Sequence, residues 1–145
     1  MDECIFCKIA KKEIPSTIVY EDDQFLAFLD IAPANKGHTL VIPKEHYKVY
    51  TDIPEELLKK FAVVVKKVAS SVHKGLEADG FNIVMNNYKV SGQIVSHAHF
   101  HILPRFINDG INSGWPHKNY EDGEMDSFKD KIKLGWVLLN LINFK

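Results

Sequence analysis

The sequence predicts an α+β domain: a five-stranded, mostly antiparallel sheet with one long helix and a short helix near the N-terminus. Three observations lead there. Short apolar runs with strand-like pattern fall into two groups, residues 17–42 and 81–105. One stretch between them carries apolar residues at helical spacing instead. The 145 residues are 46% hydrophobic, enough to give a single domain, residues 1–145, a sizeable core. Strands grouped around one helix are the pattern of a segregated α+β architecture.

Each element has its own signal. Ile5, Phe6 and Ile9 fit one face of a short helix that Ile14-Pro15 ends. Thr17 to Glu21 and Phe25 to Asp30 read as two strands of a hairpin, turning at Asp22-Asp23. Pro33 to Gly37 is a loop, and His38 to Ile42 a third strand stopped by Pro43. The long helix opens at Pro54-Glu55-Glu56, with proline and acids in the first turn. Leu57, Leu58, Phe61, Val64, Val65, Val68 and Val72 form its apolar face, and Gly75 or Gly80 ends it. Phe81 to Asn86 is a fourth strand, Asn87 to Gly92 a loop, and Ser96 to Arg105 the fifth strand. The core thus spans about residues 4–105. The tail, residues 106–145, is rich in Gly, Asn and Asp up to Gly123, then predicts a helix from Asp126, amphipathic at Phe128, Ile132, Trp136 and Leu139.

Composition excludes several function classes. The formal net charge is −1 with acids and bases interspersed, so no basic stripe offers a surface for nucleic acid or a membrane. Met1-Asp2-Glu3 lacks the pattern of a signal peptide, and the apolar run from Trp136 to Ile142 is too short to span a bilayer. Two cysteines cannot build a disulfide framework. A cytoplasmic protein is the simplest account.

The fifth strand carries the chemistry. His97, His99 and His101 alternate with Ala98, Phe100 and Ile102. In a strand the three imidazoles stand in a row on one face. Solvated faces are usually filled with Lys, Glu and Thr instead. Two chemistries fit: a metal cage, or covalent catalysis in which a neutral imidazole attacks phosphorus. The three residues do not choose between them.

The run resembles the motif of the histidine triad (HIT) family, His-φ-His-φ-His-φ-φ with φ apolar. Phe28-Leu29-Asp30-Ile31-Ala32-Pro33, Gly37-His38-Thr39-Leu40-Val41-Ile42-Pro43-Lys44, Asn86-Asn87 and Ser91-Gly92-Gln93 match that family in order and spacing. The likeness is greatest to the Hint branch, and there to bacterial-type members with an N-terminal Cys-x-x-Cys and Ile-Leu-Pro-Arg after the triad. His101 stands where galactose-1-phosphate uridylyltransferases commonly carry glutamine.

The resemblance implies a HIT-like fold and a purine nucleotide hydrolase or transferase. It assigns His99 as nucleophile on the α-phosphate, with a nucleotidyl-histidine intermediate and release of a monophosphate such as AMP. His101 would contact phosphate oxygens, and His38, on the neighbouring strand, would orient the triad. Asp30 would bind the ribose hydroxyls. Ile31, Phe6 and Phe28 would line an apolar slot for the base. Asn86 and Gln93 would lie near the phosphate, and Gly92 would let backbone N–H groups approach it. Ile94 departs from many Hint members, which carry a serine there able to hand a proton to the leaving group.

Cys4-x-x-Cys7 has half-site spacing for zinc. In similar bacterial proteins the positions of His46 and His97 complete a Cys2His2 site, which implies a structural zinc and no metal in the chemistry. Relatives also imply a homodimer with two sheets joined edge to edge. Two other functions compete with the nucleotidyl-histidine hydrolase: a dinucleoside polyphosphate hydrolase, and a non-catalytic nucleotide-binding module.

Overall fold

The computed structural model describes residues 4–112, 114 and 116–142. Met1-Asp2-Glu3 and the side chain of Trp136, both named in the sequence reading, lie outside what is described. The chain divides into two compact units, Met1–Ile111 and Asn112–Lys145.

The first unit holds α1 (Ile5–Ala10), β1 (Ile18–Glu21), β2 (Phe25–Leu29), β3 (Thr39–Pro43), α2 (Glu55–Gly75), β4 (Gly80–Val84) and β5 (Phe100–Arg105). The strands form one sheet in the order β1-β2-β3-β5-β4, and every pairing is antiparallel. The predicted α+β class and all seven of these elements are present.

The near-continuous apolar sequence of β2 and β3 follows from their central position. Side chains alternate across a strand, and here both faces are covered. Phe25, Ala27 and Val41 pack with Phe61, Val64, Val65 and Val68 of α2. Leu26, Phe28, Leu40 and Ile42 pack with Phe6 and Ile9 of α1 on the other face. Phe25 stacks on Phe61 with ring centroids 5.1 Å apart.

α2 is rich in valine, a modest helix former, so its stability comes from this buried face rather than from propensity. Glu55 and Glu56 in the first turn and His73 and Lys74 in the last complement the helix dipole. The helix does end at Gly75. The left-handed residue that follows is Glu77, with φ +49°, so neither candidate glycine makes the turn.

The fifth strand starts later than predicted. Its ladder begins at Phe100, so of the three histidines only His101 is a strand residue. His97 and His99 sit in an extended lead-in, tied to the fold by Ala98 N–H donating to the Tyr47 carbonyl at 2.6 Å. Alternation survives without the ladder. Ala98 and Ile102 pack in the α2-side core, while His97 and His99 lie edge-on to Phe6 of α1.

The second unit contains α3 (Glu124–Ile142), which begins two residues before the predicted start. Glu124 and Asp126 occupy its first turn, and Tyr120 meets Phe128 edge-on. Among the described residues no helix is long and apolar enough to cross a membrane.

Candidate active site

A cleft of about 310 Å³ opens on the α1 face of the sheet. Phe6 from α1 and Phe28 from β2 form its floor, with ring centroids 5.5 Å apart. Asp30 and Ile31 stand on the loop after β2, and His99 and His101 close the inner wall. Ile31 is 99% exposed, so it forms rim rather than slot. Sequence reading missed Ile5, Ile9, Ile14 and Val95, which also line the cleft. Ile5 and Ile9 read as one face of a short helix and Ile14 as part of its stop, while Val95 belongs to no motif.

His99 is buried, and its Nδ1–H donates to the His97 carbonyl at 2.6 Å. A carbonyl only accepts, so this bond fixes the tautomer: the proton is on Nδ1 and the lone pair on Nε2. Burial lowers the His99 pKa from its ordinary value, so the ring favours the neutral, nucleophilic form.

His101 and His38 form a second hydrogen-bonded pair, His38 Nε2 to His101 Nδ1, at 2.9 Å. The Ala34 N–H donates to His38 Nδ1 at 3.4 Å, so the His38 proton lies on Nε2 and points at His101. His101 then carries its own proton on Nε2. Burial, then the neighbouring His99 and His38, lower the His101 pKa to about 4. Burial also lowers that of His38. His101 is therefore a neutral N–H donor. Asp30 Oδ2 lies 3.7 Å from His38 Nδ1, while its Oδ1 accepts from Ala32 N–H at 2.9 Å.

A network unseen in the sequence holds this pair in place. Asp109 accepts hydrogen bonds from Arg105 Nε at 2.7 Å, Asn35 Nδ2 at 2.9 Å, and the N–H groups of Phe106 and Ile111. Asn35 also donates to the Pro104 carbonyl, and its own carbonyl accepts from His38 N–H at 3.0 Å. The loop before β3 is thereby tied to the end of β5. The Arg105–Asp109 spacing was the available signal, but nothing in it points to Asn35.

Gly92 lines the cleft with His99 and His101, whereas Gln93 does not line it. Gln93 is buried; its Oε1 accepts from Tyr88 N–H at 2.7 Å and its Nε2 donates to the Lys48 carbonyl at 2.6 Å. Gly92 takes φ +95°, where a side chain would be strained. Its N–H donates to the Lys89 carbonyl, and the half-buried Asn86 amide lies beside it.

Cys4, Cys7, His46 and His97 come together at the N-terminus of α1, with one donor atom from each within 4.8 Å of the others. His97 Nδ1 is 3.5 Å from both sulfurs, and His46 Nδ1 is 3.3 Å from Cys7 Sγ. A tetrahedral zinc with ordinary Zn–S and Zn–N bonds separates such donors by about 3.5 Å. His97 Nε2–H donates to the Pro43 carbonyl at 2.8 Å, which leaves Nδ1 free toward the sulfurs. Burial lowers the His97 pKa to about 4, and burial with the adjacent Cys4 pushes the Cys7 thiol up to about 11. A divalent cation among them would offset the second effect. The donor set fits zinc.

The HIT domain pattern matches residues 11–108. A HIT-like protein of Methanocaldococcus jannaschii is 56% identical over 107 residues, 74% of this chain and 82% of that protein. The adenosine 5′-monophosphoramidase of Saccharomyces cerevisiae is 44% identical over 114 residues, 78% of this chain and 70% of that one. The zinc-bound histidine triad family protein of Mycobacterium smegmatis superposes with a TM-score of 0.72 at 40% identity, covering 81% of this chain and 85% of the other.

Proposed function

The chain belongs to the HIT family, and from that premise we propose that it is a purine nucleotide hydrolase or transferase acting at the α-phosphate through His99. The observation that carries this reading is the 2.6 Å bond from His99 Nδ1 to the His97 carbonyl, which leaves a buried, neutral ring with its lone pair on Nε2. The relative from S. cerevisiae, named an adenosine 5′-monophosphoramidase, supports the substrate class.

In the first step Nε2 forms a bond to phosphorus. The bond from phosphorus to the leaving group breaks, and the leaving group departs with its electron pair, an amine taking up a proton from solvent as it leaves. The ring becomes a nucleotidyl-imidazolium whose Nδ1–H still donates to the carbonyl. His101 donates its Nε2–H to a phosphoryl oxygen as charge builds there. Water then attacks phosphorus, the P–N bond breaks, its electrons return to Nε2, and a proton passes to solvent. The product is a nucleoside monophosphate. Phe6 and Phe28 receive the base, and Asp30 Oδ2 accepts from the ribose hydroxyls. Two easier steps replace one difficult one.

Cys4, Cys7, His46 and His97 would hold a structural zinc. Four protein ligands leave no open position, so its contribution is to tie α1 to the lead-in of β5. Two free thiols suit the cytoplasm. A homodimer is consistent with β4, which lies at the sheet edge and exposes Phe81 and Ile83.

The test is to incubate the protein with adenosine 5′-phosphoramidate, measure AMP, and examine acid-quenched enzyme for a covalent adenylyl adduct. AMP and an adduct are expected, with both abolished in His99→Ala. Protein that binds AMP but yields neither would be a binding module.

A further inference from the structure

The first turn of α1 serves two sites at once. Cys4 and Cys7 belong to the metal-binding cluster, and Phe6 between them belongs to the cleft. The Phe6 ring lies edge-on to His99 at 5.1 Å, to Phe28 at 5.5 Å and to His97 at 5.9 Å. α1 has only six residues, and Cys4 caps it with no side-chain hydrogen bond. A helix that short does not hold its own shape in water. Its place is set by the burial of Phe6 and Ile9 and by whatever holds the two sulfurs. We infer that Cys4 and Cys7 are a redox modification site, and that their oxidation to a disulfide releases zinc and withdraws Phe6 from the base slot. The inference rests on the zinc and base-slot readings and adds to them a control over nucleotide binding.

The geometry gives the oxidant a way in. Cys4 and His46 line an open hollow of about 920 Å³. Cys4 is half-buried and Cys7 buried, so Cys4 reacts first. Zinc, when bound, keeps both sulfurs as thiolates, the form that reacts. The oxidant is a hydroperoxide, here hydrogen peroxide. Cys4 Sγ forms a bond to one peroxide oxygen, the O–O bond breaks, and hydroxide leaves with the electron pair. Cys7 Sγ then bonds to Cys4 Sγ, the S–O bond breaks, and a second hydroxide leaves. Each hydroxide takes a proton from solvent. Two thiolates are oxidised, and one peroxide is reduced to two waters. His46 and His97 are then the only ligands left of the cluster, where a structural zinc takes four.

The disulfide acts on Phe6 more than on His99. It brings its Cβ atoms to about 4 Å, whereas residues one helical turn apart hold theirs at about 5–6 Å. The turn that bears Phe6 must move to close it. His97 keeps its place without the sulfurs. Its Nε2–H donates to the Pro43 carbonyl at 2.8 Å, and the Ala98 N–H donates to the Tyr47 carbonyl at 2.6 Å. The His97 carbonyl therefore stays on His99 Nδ1 and preserves the tautomer. Oxidation loosens the hold on the base and spares the nucleophile.

The experiment treats the zinc-loaded, full-length protein with hydrogen peroxide. Mass spectrometry reads the zinc released and the Cys4–Cys7 disulfide formed, and calorimetry reads the Kd for AMP. Zinc should leave as the disulfide forms, and the Kd should rise about tenfold, as for a lost contact between base and aromatic ring. KM for adenosine 5′-phosphoramidate should rise alike, with kcat changing less than about twofold. Dithiothreitol with added zinc should restore both. Cys4→Ser with Cys7→Ser should bind no zinc, start at the raised Kd and ignore peroxide. A disulfide formed with the Kd unchanged overturns the inference, as does peroxide that leaves both thiols and the zinc in place. A fall in kcat as large as the rise in KM makes the damage general and overturns it too. Native protein that takes up no zinc refutes the metal reading, and zinc-loaded protein that binds no AMP refutes the nucleotide reading; the inference falls with either.

Discussion

His97 and His99 are two residues apart, both buried, both edge-on to Phe6, and they are prepared for opposite tasks. His97 donates from Nε2 to the Pro43 carbonyl and turns Nδ1 to the thiols of Cys4 and Cys7. His99 donates from Nδ1 to the His97 carbonyl and keeps its lone pair on Nε2. One carbonyl on each side selects the tautomer, and the tautomer selects the chemistry. The type of residue makes a metal site or a nucleophile possible. The partner of the other ring nitrogen decides which it becomes.

The largest effects should separate the two rings. His99→Ala is expected to lower AMP release by about 10⁴-fold or more, as for loss of a nucleophile. Bound zinc, measured by mass spectrometry of the metal, should be unchanged. His97→Ala should do the reverse: lose zinc and roughly 2–4 kcal/mol of stability, read as a fall of about 5–15 °C in Tm, while adduct formation persists. If both variants lose zinc, the two sites are one structural unit and the comparison fails.

A smaller effect would show that the His38–His101 pair depends on its tether. Asp109→Asn removes the charge on which Arg105 and Asn35 converge. kcat should fall roughly tenfold as the loop bearing His38 loosens, with KM changing less than twofold. A matched rise in KM with kcat unchanged would make the network a substrate-binding element instead.

The gentlest probe is pH. Burial depresses the pKa of His99, so its ring stays neutral as pH falls past the ordinary value of about 6.5. kcat/KM should hold level through that value and decline only below it; an acid limb centred at or above 6.5 would contradict a buried neutral nucleophile. Stability follows the same sign. Unfolded histidines take up protons near 6.5 while folded His101 resists until about 4. The unfolded state thus binds more protons across that window, and the folded form loses stability as pH falls through it. Urea midpoints between pH 7 and pH 4 measure this.

Much of this was legible in the residues. The short apolar runs of β2 and β3, the valine stripe of α2 and the proline stops mark the elements to within a few residues. The histidine alternation does send Ala98 and Ile102 one way and His97 and His99 the other. Ladder pairing was less legible, because it depends on a partner strand: β3 meets β5 only over Thr39–Val41 and Phe100–Ile102. Asn35 and Asp109 escaped notice because they are 74 positions apart and join only through a side chain. Gln93 reads as a phosphate neighbour, and the sequence gives no sign that two backbone groups engage its amide.

The sequence by itself determined which side chains are available, the period that sorts them to two faces, and the order of the strands along the chain. Those are local properties, set by backbone geometry and hydrophobic pattern. Tertiary structure alone decided that Cys4 and Cys7 meet His46 and His97, that Asn35 is tied to Asp109, and which nitrogen of each imidazole is free. Each of these needs a donor or acceptor from a distant segment, and only the packed chain brings that group within about 3 Å.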